Sequence, residues 1–148
     1  MAIKFREFKK LDSKRCSEII KDALEKEEFC DKPKILKEYN AEGLLKKSKE
    51  IHYFVIIKKS IFLRIEVVVG LGGIKDSGEL KTVYIDPQFQ EKGFGRELMK
   101  FLEKKAREMK LKKLFLWSAQ KQIDFYKGLG YELRHKNKDD TYMEKELK

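Results

Sequence analysis

Gly93 and Gly95 stand two residues apart where a loop runs into a strongly amphipathic helical stretch, a placement suited to holding an anion. Glycine at both positions lets the backbone approach a ligand and adopt φ > 0 without steric penalty. Upstream, residues 79–85 read as a strand and Pro87 as part of a turn, so the order is strand, turn, glycine loop, helix. That order aims backbone N–H groups, at the positive end of a helix dipole, beyond the strand's end, where a phosphate or pyrophosphate is the natural guest. The two common phosphate loops fit poorly. A dinucleotide fingerprint needs a third small residue where Leu98 stands, and a P-loop needs Gly-Lys-Ser/Thr where the chain has Gly95, Arg96 and Glu97. Lys92 and Arg96 supply local positive charge, although Lys92 reads equally well as a solvated residue at a helix start.

The run Gln90, Glu91, Lys92, Gly93, Phe94, Gly95 resembles the Q/R-x-x-G-x-G/A loop of the GNAT superfamily of acetyl-CoA-dependent N-acyltransferases. Its flanks agree. Val83, Tyr84, Ile85, Asp86 and Pro87 look like that family's fourth-strand ending, and a long helix follows at once. Downstream, Phe125, Tyr126, Leu129, Gly130 and Tyr131 are similar to its F-Y-x-x-L-G-F/Y segment, and residues 141–147 look like its final strand. The resemblance covers the chain from roughly residue 67 to the end and is loose before that.

It implies an α/β fold of the α+β type: a mixed, mostly antiparallel sheet of about seven strands with about four helices, splayed between strands four and five. Acyl-CoA enters that gap in the family. By the same resemblance, the backbone of Val83, Tyr84 and Ile85 holds the pantetheine arm, with the Val83 N–H at the thioester oxygen. Gln90 opens the loop, and the amides of Glu91, Lys92, Gly93, Phe94, Gly95 and Arg96 hold the pyrophosphate, with the Glu91 side chain turned outward. Tyr126 matches the family's general acid; its alternative is a core aromatic with a hydrogen-bonded hydroxyl. Glu79 is the candidate base, acting directly or through a water, against the reading of an exposed charge at a strand start. Strand alternation places Glu79, Lys81, Val83 and Ile85 on one face until a bulge interrupts the count. Where the family often carries an Asn, seven residues before the Tyr, this chain has Ala119, with Ser118 as a candidate substitute. Arg64 and Glu66 also fall in a strand that is normally more apolar.

The expected cosubstrate is therefore acetyl-CoA, with no metal, and the expected acceptor a primary amine: a small amine, polyamine, lysine side chain or peptide N-terminus. Glu27, Glu28, Asp31, Asp139 and Asp140 lie in the two loops that shape the acceptor site in this fold. They could draw a cation or simply be solvated. A non-catalytic acyl-CoA sensor is the alternative within the family, and the presence of Tyr126 counts against it.

At 148 residues the chain is expected to be one domain, 1–148, with enough apolar content (41%) for a core. Its 35 basic and 25 acidic residues give a net charge of +10. That excess suits a polyanion, whether CoA or nucleic acid, or else an ion-pair-rich surface, and its spread along the chain favours the latter. A basic nucleic-acid module would need a clustered Lys/Arg stripe or a recognised motif, and neither is present. No apolar run reaches membrane-spanning length and the first residues alternate, so a cytoplasmic protein is expected, with a homodimer left open. Cys16 falls on an apolar helical face as a buried thiol; Cys30 lies in a charged connection; neither has zinc-ligand spacing. His52 and His135 are poor catalytic candidates, and Trp117 reads as a core residue.

The remaining pattern gives strands over 3–8, 51–58, 61–73, 79–85, 113–117, 131–134 and 141–147, with a turn at 58–60. Helices are expected from Asp12 or Ser13, from Pro33 onward through Leu44, from Phe94, and over 120–129. Gly70, Gly72 and Gly73 read as an irregular strand end.

Overall fold

The strand β2 (Ile51–Lys59) is apolar on both faces, and a computed structural model, which describes residues 2–26, 32–60, 62–90 and 92–148, shows why. Tyr53, Val55 and Ile57 are buried on one side of the sheet; Phe54 and Ile56 are buried on the other. A strand covered on both faces must lie inside a sheet with helices above and below. Antiparallel β1 (Ala2–Glu7) and β3 (Glu66–Lys75) flank it, and β4 (Leu80–Ile85) closes the order β1-β2-β3-β4.

Helix α1 (Ser13–Leu24) lays Cys16, Ile19, Ile20 and Leu24 on the Tyr53 face, joined by Leu44 of α3 (Ala41–Lys47). On the Phe54 face, α4 (Phe94–Glu108) buries Leu98, Met99, Leu102 and Ala106, the larger of which contribute about 1.5–3 kcal/mol each by transfer from water. Leu102 can come this close because β3 has Gly72 beneath it: a Cβ there would stand 2.7 Å from Leu102 Cδ1. The β3 glycines therefore mark close packing within the strand and not its ragged end.

A second antiparallel sheet of order β5-β7-β6 contains β5 (Lys113–Ser118), β6 (Glu132–Lys136) and β7 (Thr141–Glu146). The sheets meet at a parallel bridge between Glu79 and Phe115, where the Phe115 N–H donates to the Gly78 carbonyl at 3.0 Å. Beyond that bridge β4 and β5 part. The expected splay is a break between two ladders, and seven strands stand among the described residues, as expected.

Three elements differ from the sequence pattern. The helix expected from Pro33 through Leu44 is two helices, α2 (Lys32–Glu38) and α3, because the Asn40 side chain accepts from the Gly43 N–H at 2.8 Å and caps a new start. The strand expected over 61–73 begins only at Glu66. Arg64 takes φ 52 and the Ser60 N–H donates to the Ile65 carbonyl, so residues 62–65 form a turn and not a strand, with Phe62 and Leu63 exposed. The helix over 120–129 starts as a 3-10 turn, and α5 (Ile123–Gly128) is short, giving five α-helices among the described residues where about four were expected. Among the described residues no helix is long and apolar enough to cross a membrane, and no group of three or more His, Cys, Asp or Glu could hold a metal. Cys30, Glu27, Glu28, Asp31 and Glu91 lie outside the described residues.

Candidate active site

Thr82 sits at φ 59, a conformation that β-branched residues rarely adopt. The register explains it: Leu71 faces Tyr84 and Gly73 faces Lys81, so Thr82 and Val83 together oppose Gly72. This is a β-bulge, and it reverses the side-chain count. Leu80 before it and Val83 and Ile85 after it all pack toward α4. Lys81 and Val83 therefore do not share a face, and the expected alternation from Glu79 to Ile85 breaks at this point. Thr82 Oγ1 lies 3.2 Å from the Tyr53 hydroxyl, which fastens the bulge to β2.

The parted strands enclose a cleft of about 670 Å³. Val83, Tyr84 and Ile85 form one wall, and Leu116, Trp117, Ser118 and Ala119 the other; Gly93, Gly95 and Arg96 lie at the start of α4, and Phe125 and Tyr126 on α5. Among the described residues, no strand runs along the side of β4 that faces away from β3 beyond the Glu79 bridge. The end of β4 is held by Asp86, buried at 4% exposure. It pairs with Arg15 of α1 and accepts from the Gln88 N–H at 3.0 Å.

Gly93 caps α4 at φ 82, and a Cβ placed there would meet nothing within 4 Å. Its carbonyl accepts from the Glu97 N–H at 3.1 Å, while the N–H groups of Phe94, Gly95 and Arg96 have no backbone acceptor among the described residues. These groups and the helix dipole face the cleft as an electropositive end. Phe94 itself is buried against Ile56 and Val69, so only its backbone is placed for a ligand. Gln90 lines the cleft, and its Nε2 donates to the Ile85 carbonyl at 3.2 Å. Lys92 stands over the Phe89 ring at 5.9 Å and does not line the cleft.

Tyr126 faces the cleft and packs edge-on between Phe125 (5.1 Å) and Tyr131 (5.8 Å). Burial pushes its phenol up to about 12, which keeps it protonated through neutral pH. Glu79 stands at the narrow end, next to the bridge, with Lys81 at 3.3 Å and Lys75 at 3.8 Å; it is not among the residues lining the cleft.

Ser118 gives its hydroxyl to the Ala119 carbonyl at 2.8 Å and so is not placed as a substitute for an Asn side chain. Trp117, read from sequence as a core residue, is 47% exposed on the cleft wall, because Leu114 and Leu116 take the inward positions of β5. That signal was present in the alternation. Thr82 was not legible, since nothing in its type announces a bulge.

The family model described as an acetyltransferase (GNAT) domain matches residues 23–144. Comparison with curated proteins gave no match. Among solved structures, the chain is similar to the PaiA N-acetyltransferase of Thermoplasma acidophilum in complex with coenzyme A, with TM-score 0.83, 19% identity and 99% of each chain covered. It is also similar to a GCN5-related N-acetyltransferase structure from Rhodopseudomonas palustris, with TM-score 0.81, 16% identity and 99% of each chain covered. A third similar structure is yncA of Salmonella typhimurium with acetyl-CoA, with TM-score 0.69, 20% identity, and 100% of this chain and 95% of that one covered.

Proposed function

Because the chain belongs to the acetyltransferase (GNAT) family, we propose that it moves the acetyl group of acetyl-CoA to a primary amine by direct attack within a ternary complex. The observation that carries this reading is the coincidence, in one cleft, of the parted β4 edge, the α4 N–H groups without a backbone acceptor among the described residues and the Tyr126 phenol.

The chain's own residues fit the cosubstrate. The amides of Gly93, Phe94, Gly95 and Arg96 suit a diphosphate, Arg96 adds charge, and Gly93 leaves the approach clear of a side chain. Lys92 would contribute through its backbone, its side chain lying over Phe89. The β4 edge at Val83 suits an extended amide-bearing arm, while the Ile85 carbonyl is already taken by Gln90. Acetyl-CoA supplies an acyl group on a thioester and a thiol as leaving group.

In the transfer, the amine nitrogen forms a bond to the acyl carbon and the carbon–sulfur bond breaks. The Val83 N–H, re-aimed by the bulge, stabilises the oxygen on which charge develops. Tyr126, protonated and with no hydrogen-bond partner among the described residues, gives its proton to the departing sulfur and recovers, through solvent, the proton that the acylated nitrogen gives up. The ammonium form of the acceptor must lose a proton before attack. Glu79, at the narrow end beside the bridge, takes that proton through water.

The test is calorimetric titration with acetyl-CoA, followed by thiol release with a panel of small amines, polyamines, basic peptides and peptide N-termini. Acetyl-CoA binding with thiol release for at least one amine is expected. Binding without any transfer would replace the enzyme with a sensor.

A further inference from the structure

We propose that the exposed face of Trp117, backed by Tyr142, is the acceptor platform of this cleft, and that the acceptor is a primary monoamine carrying an aromatic or other flat apolar group. The inference rests on the acetyl-transfer reading above and names its substrate class.

Trp117 is the chain's single tryptophan, and about half of its surface is open on the cleft wall. Its ring stands 5.1 Å from that of Tyr142 at 60°, and Tyr142 stands 5.8 Å from Phe115. Three rings thus form a continuous band along β5 and β7. Packing from behind fixes the indole's orientation, so a ligand that stacks on it loses little side-chain freedom in the protein.

The direction of the band matters as much as its chemistry. Leu116 turns into the core beside Tyr126, so the acid reaches the cleft from the α4–α5 face. Trp117, the next residue, points to the opposite face. An extended arm lying between β4 and β5 would divide the cleft in the same way, with the acid on one side and the aromatic band on the other. An acceptor resting on Trp117 therefore brings its nitrogen to the acyl carbon from the side that the core does not close.

Charge narrows the class. Lysines stand over the rings of Tyr39, Phe54, Phe89, Phe101 and Tyr131, but among the described residues none stands over Trp117, Tyr142 or Phe115. In a chain with net charge +10, the exposed Trp117 face on the cleft wall is left for a ligand. The charged side chains that line the cleft among the described residues are Lys26, Arg96 and Lys121, all basic. They favour the anionic cosubstrate and disfavour a polycationic acceptor. Asp140, which accepts from Asn137 Nδ2 at 3.1 Å, immediately precedes Thr141 of the Ser118–Thr141 pair at the end of the band but is not part of the lining.

The experiment compares 2-phenylethylamine, n-hexylamine and spermidine as acceptors, with acetyl-CoA, in the wild type, Trp117→Ala and Trp117→Phe. We expect KM for 2-phenylethylamine about tenfold below that of the other two, the scale of a good aromatic contact. Trp117→Ala should raise that KM about tenfold and leave KM for acetyl-CoA within about twofold, while Trp117→Phe recovers most of the loss. Equal KM values for the three amines, or an equal loss of amine and acetyl-CoA in Trp117→Ala, overturns the platform. The emission of the single tryptophan gives a readout independent of turnover: with CoA present, 2-phenylethylamine should shift it saturably and n-hexylamine should not. No saturable shift overturns the inference. A saturable shift without thiol release for any amine would overturn the acetyl-transfer reading and leave the platform standing.

Discussion

The Tyr53 hydroxyl and Thr82 Oγ1 lie 3.2 Å apart, and this contact joins β2 to the one β4 residue held at positive φ. Tyr53 is 4% exposed, and burial raises its phenol, so the hydroxyl stays protonated and available to the pair. Removing it with Tyr53→Phe should cost about 1 kcal/mol, the net worth of one such bond. Because the bulge aims the Val83 amide, the variant should also raise KM for acetyl-CoA several-fold while leaving the far-ultraviolet circular dichroism unchanged. Denaturant titration and steady-state kinetics check the two parts separately.

Gly93→Val places a β-branched residue at φ 82, where an ordinary side chain costs roughly 1–2 kcal/mol of backbone strain and a branched one more. Nothing stands within 4 Å of the new Cβ, so the fold should survive. The side chain would instead occupy the approach to the α4 amides. Acetyl-CoA affinity should fall more than about tenfold in a folded protein. Unchanged affinity by calorimetry would remove the diphosphate from this loop.

Tyr126→Phe deletes a hydroxyl that has no hydrogen-bond partner among the described residues, so stability at neutral pH should hold. Turnover should drop by about ten- to a thousand-fold with acetyl-CoA affinity retained, as for a lost general acid. If turnover is unaltered where chemistry limits the rate, Tyr126 is a packing residue.

The Glu79 carboxylate is expected to matter most where the acceptor is most protonated. Glu79→Gln should depress the rate strongly at the acidic end of the profile and converge with the wild type at alkaline pH, where free amine is abundant. A uniform loss across pH would mark Glu79 as an anchor for Lys75 and Lys81 at the bridge.

Alkaline stability follows from the buried phenols. Burial raises Tyr126 from 10.0 to about 12, and raises Tyr53 and Tyr131 as well. A raised folded-state pKa means that the stabilising contribution is intact below pH about 10 and is lost as pH climbs through about 12. The melting temperature should therefore fall steeply above pH 10, and Tyr126→Phe should flatten part of that slope. Cys16, fully buried with its thiol also raised to about 12, should resist alkylation until the same range.

Much of this arrangement was written locally. The spacing of Cys16, Ile19, Ile20 and Leu24, and of Leu98, Leu102 and Ala106, specified two helices and the faces they bury, because a 3.6-residue period needs only near neighbours. Gly93 and Gly95 likewise announced a tight entry to a helix from residue type alone. The Asn40 cap and the loop at Arg64 were present in the sequence but competed with an apolar pattern that ran through them, and side-chain and backbone geometry decided each case. The opening of the cleft was not local. It depends on β4 and β5, about thirty residues apart, meeting at Glu79 and Phe115 and then diverging, and on Thr82 accepting a strained turn that Tyr53 holds from another strand. The sequence thus specified most of the elements on which the candidate residues stand. Only the tertiary structure decided that β4 and β5 part in front of Trp117, that Glu79 stands outside the cleft lining and that Gln90 takes the Ile85 carbonyl, because each of these depends on contacts between elements that no local pattern encodes.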